Sequence, residues 1–346
     1  MTPKPPTPSA TPAVWMVGPG YDLAVYSGVA LYGAGLVLGL GHFFDPRRLF
    51  VFFNVAFTLG HYGPTWLRAF GDTAELRARP LQILGFPLAA AAFVFGTAAN
   101  PEVLACVLYL WDRWHAVMQS FGFARIYDAK LGRTEPHWAW LDRALLFACA
   151  FFFMSLNVAL LTPLIERAAS VGLDLSPSPA ALHAIRWTLG LITAGIVGAY
   201  AVALARAHRR DGRWPAPKLA YLGLLVGGHA LMNTTSNVFL LSCHEKVYHC
   251  VQYYSITWHY ERKRRAATSR RWLDRALASR ASVPAFGAMV LLWIAGAVAI
   301  SRALSTGSSE LYLAGFTRAF GGLALVHYYF DSFLWKVRRV EVRANL

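Results

Sequence analysis

The stretch CHEKVYHCVQYYSITWHYERKR (residues 243–264) places three histidines, two glutamates and a glutamine in one helix-length segment of a chain that is 56% hydrophobic and 15% charged. On a helix turning about 100° per residue, Glu245, His249, Gln252 and His259 fall within an arc of about 80°, and His244 lies about 100° away from it. The remaining surface is aromatic, built from Tyr248, Tyr253, Tyr254 and Trp258. A helix with such a stripe crosses a bilayer only if the stripe faces protein or a bound ion, because ionisable groups in hydrocarbon are expensive. The segment therefore raises both the question of fold and the question of function.

Outside it, apolar runs recur from residue 22 to residue 335, and the 346-residue chain has a mean hydropathy of +0.39. A bilayer crossing takes about 20 apolar residues. Candidate spans lie at 21–44, 48–69, 79–98, 101–127, 139–165, 184–207, 218–240, 241–262, 284–304 and 311–336. The expectation is an all-α, polytopic integral membrane bundle of about ten transmembrane helices: a disordered Pro-rich tail at 1–20, a single membrane domain at 21–338 and a basic cytoplasmic tail at 339–346. The motif NTTSN (233–237) is expected to interrupt the seventh span.

The net charge of +15 comes from basic clusters between apolar runs, where the positive-inside rule places them, and not from a nucleic-acid-binding face. With ten spans and both termini cytoplasmic, every cluster except Arg47/Arg48 is inside, as expected for a bacterial inner-membrane protein. Cys106, Cys149, Cys243 and Cys250 lie in or beside apolar segments without CxxC spacing and read as buried small hydrophobes.

Polar residues recur on single faces of other spans. Asn54, Thr58 and His61 share one, as do Asp112, His115 and Gln119, His229 and Asn233, and His327 and Asp331. Residues on different helices meet only at similar depth. Counted to the basic residue at the cytoplasmic end of its span, His61 is 7 positions from Arg68, His115 10 from Arg125, His229 11 from Lys218, His249 13 from Arg262 and His327 9 from Lys336. All five fall roughly 10–20 Å from the inner boundary on the helical rise. His42 lies near the opposite face and His259 near the cytoplasmic surface.

Neutral imidazole is the commonest side-chain metal ligand, and a carboxylate or carbonyl commonly fixes its tautomer. The expected metal ligands are His61, His115, His229, His249, His327, Glu245 and Asp331, with Asp112, Tyr248 and Tyr328 as catalytic or pocket-lining groups. This donor set suits iron first, in a mononuclear or dinuclear site, and then other transition metals. In kind, the layout resembles the membrane-embedded histidine-rich non-haem iron oxygenases, both the fatty-acid desaturase and hydroxylase class and the bacterial carotene-cleaving dioxygenases. HEKVYH (244–249) departs from the HxxxH and HxxHH boxes of the first group. The resemblance implies O₂-dependent oxidation of a lipophilic substrate drawn from the lipid bilayer, with an electron donor on the cytoplasmic side. Two other functions fit the same residues: a proton- or ion-coupled transporter using the His/Asp/Glu cluster, and a haem-binding electron carrier with bis-histidine ligation.

Overall fold

The computed structural model describes residues 14–71, 73–97, 99–266, 275–276, 279, 282–304, 309–336 and 342. Most of the Pro-rich tail and, apart from Val342, the basic tail at 339–346 lie outside the described residues. The part of the tail that is described is anchored: the N–H groups of Met16 and Val17 donate to the Asp22 carboxylate at 2.7 and 3.0 Å.

The described residues are helical almost throughout, with no strand among them. In chain order the helices are α1 Pro19–Ser27, α2 Val29–Phe43, α3 Pro46–Phe53, α4 Gly60–Gly71, α5 Thr73–Ala78, α6 Leu81–Gly96, α7 Pro101–Lys130, α8 Pro136–Leu156, α9 Thr162–Ser170, α10 Pro179–Asp211, α11 Ala216–Met232, α12 Val238–Ala266, α13 Ser282–Leu304 and α14 Ser309–Leu334. Proline opens α3, α7, α8 and α10 at the first helical position, where its missing N–H has no intrahelical partner to lose. NTTSN does break the helix: α11 stops at Met232 and α12 starts at Val238, with Asn237 accepting from the N–H groups of Phe239 and Leu240 to cap it.

Each expected span has a helix at its position, but among the described residues only three helices are long and apolar enough to cross a membrane by length and composition: Pro136–Leu156, Pro179–Asp211 and Ser282–Ala299. A fourth is the pair α1 and α2, bent by 48° at Gly28. The shortfall from ten has a physical cause. Helices α4, α7, α12 and α14 carry buried polar side chains, among them His61, His115, His249 and His327, while α6 is apolar but too short. Helix α12, formed by the opening stretch, is the hub. It packs on α2, α3, α4, α7 and α13 and is buried on most sides, with Cys243, Gln252 and Tyr260 fully enclosed. Apolar side chains face outward on the surrounding helices, as at Leu88, Phe95, Leu191 and Leu292.

Two of the basic residues that marked the inner boundary are interior. Arg68 lies between the rings of Tyr260 and Trp335, at 4.1 and 4.5 Å, and donates to the Leu334 carbonyl. Lys218 bridges Asp128 and Asp142 at 2.6 and 2.7 Å, with both carboxylates also reached by Arg125. Burying these charges is tolerable because each is paired or stacked.

Between α3 and α4 the backbone is wound as a π-helix over Asn54–Leu59. Pro64, one turn on, cannot donate to the carbonyl of Gly60. The carbonyls of Phe57, Thr58 and Leu59 accept side-chain hydrogen bonds from Tyr254, His61 and Trp293, at 3.0, 2.7 and 3.0 Å. Gly60 and Gly63 admit this packing: a Cβ at Gly60 would meet Tyr254 and come within 3.0 Å of Ile294, and one at Gly63 would lie 2.9 Å from the Trp293 ring. Gly60→Ala should therefore destabilise the protein by about 1–3 kcal/mol, read as a lowered thermal midpoint in detergent. Gly35→Ala, with nothing within 4 Å, should be neutral or slightly stabilising.

Candidate metal centre

Four histidines from four helices meet inside the bundle: His61 on α4, His115 on α7, His249 on α12 and His327 on α14. Their rings form a closed cycle, with centroids 4.3 Å apart for His61–His327, 5.0 Å for His327–His115, 5.1 Å for His115–His249 and 5.1 Å for His249–His61. Each ring presents its edge to the next. One nitrogen from each histidine lies within 4.8 Å of the other three, and all four residues are buried.

His61 Nε2, His115 Nε2, His249 Nδ1 and His327 Nε2 have no hydrogen-bond partner. Two of the opposite nitrogens are fixed. His61 Nδ1 lies 2.7 Å from the Thr58 carbonyl, which only accepts, so Nδ1 carries the proton and Nε2 offers its lone pair. His327 Nδ1 lies 2.9 Å from Thr65 Oγ1, whose hydroxyl donates to Asp331 Oδ1 at 3.0 Å. Thr65 Oγ1 also contacts Tyr253 Oη; with the threonine proton directed to the carboxylate, Nδ1–H of His327 donates to Thr65. This is the outer support that metal-ligating histidines use to hold tautomer and orientation.

The donors therefore fit a transition metal ion. Nitrogen ligands bind at about 2.0–2.1 Å, which in a tetrahedral site sets donors about 3.4 Å apart, so donors that now lie within 4.8 Å of one another need close in by less than about 1 Å per ring. Asp331 borders it, with Oδ2 3.5 Å from His327 Nε2 and 3.8 Å from His115 Nε2. Its other oxygen accepts from Tyr253 as well as Thr65. Cys250 Sγ reaches the Nδ1 side of His61 at 3.5 Å, away from the open nitrogen.

The remaining expected site residues lie elsewhere. His229, on α11, packs against His244 and Tyr248 at 5.4 Å from each ring. Its depth matches the other four, but it approaches α12 from the side opposite His249. Tyr248 belongs to that same side. Glu245 is one turn along α12 from His249 and pairs with Arg113. Asp112 is held by Arg113 and Lys246, both at 2.9 Å, and accepts from Tyr328 Oη at 2.8 Å. Asp112 and Glu245 thus form a buried ionic network with Arg113 and Lys246, not ligands at the four nitrogens. Tyr328 links that network to the histidines, its ring 4.7 Å from His115. His42 is exposed, and His259 packs on Tyr21 at 5.1 Å.

Thr65 and Tyr253 were not among the expected residues. Both sit four positions after a clustered histidine, Thr65 after His61 and Tyr253 after His249, so face alone could have found them. Gln119, on the expected face of α7, donates to the backbone carbonyl of His249 at 2.9 Å and fixes α12 against α7.

No protein-family model matches the chain, and neither a curated protein nor a solved structure matches it.

Replacing Thr65 by valine removes the acceptor for His327 and a donor to Asp331 while keeping the shape. Metal affinity measured by competition with a chelator should fall about 10- to 100-fold, whereas Thr65→Ser should stay close to wild type. Equal affinity for T65V and wild type would mean that Thr65 does not orient the centre.

Proposed function

We propose that the protein is an integral membrane metalloenzyme that binds one iron ion at His61, His115, His249 and His327 and uses it to oxidise a lipophilic substrate with O₂. The observation that carries this reading is the convergence of four buried imidazoles from four helices. The bilayer setting is supported by the three apolar helices and by large aliphatic and aromatic side chains directed outward around a polar interior. The number of spans is taken as ten, with the polar helices crossing inside a ring of apolar ones.

All-imidazole donors with a neighbouring carboxylate suit iron, copper or zinc, and no thiolate is among the open donors. With His229 on the far side of α12, the donors converge on one point, which favours a single ion over a pair. The edge-on packing of the rings leaves no slot for a macrocycle, which weighs against haem. When bound, ferrous iron would supply reductive activation of O₂. The chain's own residues hold it in fixed geometry: Thr58 and Thr65 set two tautomers, and the network through Asp112 positions Tyr328 beside His115. Asp331, accepting from Thr65 and Tyr253, keeps a carboxylate at the edge of the centre, where it can complete the ligand set or take up a proton.

A second reading, ion-coupled transport, is supported by the enclosed Asp112–Arg113–Glu245–Lys246 network, since such groups also mark ion pathways. Metal content separates the two. After anaerobic iron loading, detergent-purified protein should retain about one equivalent of iron, and His249→Ala, His115→Ala and His327→Ala should each retain less than about a tenth of that, with helicity unchanged. His229→Ala should retain iron like the wild type. Less than about a tenth of an equivalent of any transition metal in wild type would refute the metalloenzyme.

A further inference from the structure

Beside the four histidines lies a cavity of about 730 Å³, within the range of small-molecule sites. Its inner wall includes His115, Tyr253, Tyr328 and Asp331, so it opens directly onto the candidate centre. Its side wall, from Trp114, Met118, Phe121 and Ile256 among others, is apolar. Trp114 in this wall is also exposed, so the cavity is not closed off from the surroundings on that side.

The cavity's other end is basic. Arg125, Arg143 and Lys336 line it. Arg125 is committed to Asp128 and Asp142. Arg143 and Lys336 are both exposed, and neither has an acidic partner among the described residues; Arg143 lies over the Phe121 ring at 4.9 Å. Lys336 lies two residues past the end of α14 and five positions after Asp331, and Arg125 is about 15 Å along α7 from His115 on the helical rise. An apolar chamber thus runs between a metal-capable end and a rim with two free cations.

We propose that this cavity binds a single-chain lipophilic carboxylic acid, with the carboxylate at Arg143 and Lys336 and the hydrocarbon chain lying toward the histidines. Charge complementarity selects the acid: two unpaired cations at the mouth of an apolar chamber recognise an anionic head and disfavour a cationic one. Volume selects a single chain. At about 30 Å³ per water-sized group the cavity holds roughly two dozen such groups, enough for one long chain and its head but not for a two-chain phospholipid. Because the head is held at the rim, the part of the chain nearest the centre is its middle and not the carboxylate. The assignment of this molecule as substrate rests on the metalloenzyme reading above. Its binding does not.

The test uses the full-length protein in detergent and reads displacement of a fluorescent long-chain acid by oleic acid, oleyl alcohol, oleylamine and phosphatidic acid, with iron content measured on the same samples. Oleic acid should compete at least about tenfold better than the alcohol or the amine, a difference of about 1.4 kcal/mol, and phosphatidic acid should compete poorly. Arg143→Gln combined with Lys336→Gln should reduce the oleic-acid affinity about tenfold while leaving the alcohol affinity and the iron content unchanged. Equal competition by acid and alcohol, or an unaltered acid affinity in the double variant, would overturn the proposal. Preferential competition by phosphatidic acid would overturn the single-chain assignment. Acid selectivity in a wild type that holds no iron would leave the binding site standing and count against the metal centre instead.

Discussion

Four buried imidazoles brought together from four helices set the terms for this structure. A buried polar atom left without a partner costs about 1–3 kcal/mol, and the four open nitrogens of His61, His115, His249 and His327 lie together in one enclosed space. Buried side-chain atoms without a hydrogen-bond partner occur elsewhere too, at Arg68 and Trp138 for example. Convergence is the difference, because one nitrogen from each of four histidines lies within 4.8 Å of the others, an arrangement that could hold a metal ion. The rest of the bundle supports that arrangement. The π-wound segment before His61 offers its carbonyls to Tyr254, His61 and Trp293, and Thr65 ties α4 to α14 through His327 and Asp331.

The same constraint explains how the most polar helix occupies the middle of the bundle. Helix α12 spends its polar groups in three directions. His249 faces the centre, Glu245 and Lys246 close the ionic network with Arg113 and Asp112, and His244 donates from Nε2 to the Ala30 carbonyl. Gln252 donates to the Tyr26 carbonyl. In an apolar surround each such pairing matters more than in water, and leaving one partner unmatched costs more than the pairing gains. The aromatic remainder of the helix fills the gaps between neighbours, with Tyr254 and Tyr260 packed against α13 and Trp335.

The helical class, the helix positions, the break at NTTSN and four of the five clustered histidines were legible in the sequence, because apolar period and depth along a helix are both one-dimensional quantities. Azimuth between helices is not. His229 has the right depth and the wrong side, and no count along α11 distinguishes His249 from Tyr248 and His244 as its neighbour. Glu245 reads as a ligand and Asp112 as a catalytic group from their faces alone, whereas the structure pairs Glu245 with Arg113, and Asp112 with Arg113 and Lys246; a single helix cannot reveal a partner on another. The span count fell short for a related reason. Hydropathy weighs α4, α7, α12 and α14 by all their residues, whereas their polar side chains are buried between helices. Arg68 and Lys218 were useful markers of one end of the bundle, although both are enclosed by aromatic rings or carboxylates and not solvated.

The central claim is that these four imidazoles, and not the carboxylates of the ionic network or the cysteines, surround one metal ion. X-ray absorption at the iron edge of the loaded protein measures this directly. The account predicts about four nitrogen neighbours at about 2.0–2.1 Å with the outer-shell scattering of imidazole, no sulfur neighbour, no second metal, and one imidazole fewer in any histidine variant that still retains iron. A first shell dominated by oxygen without imidazole scattering, or a sulfur neighbour, would contradict it.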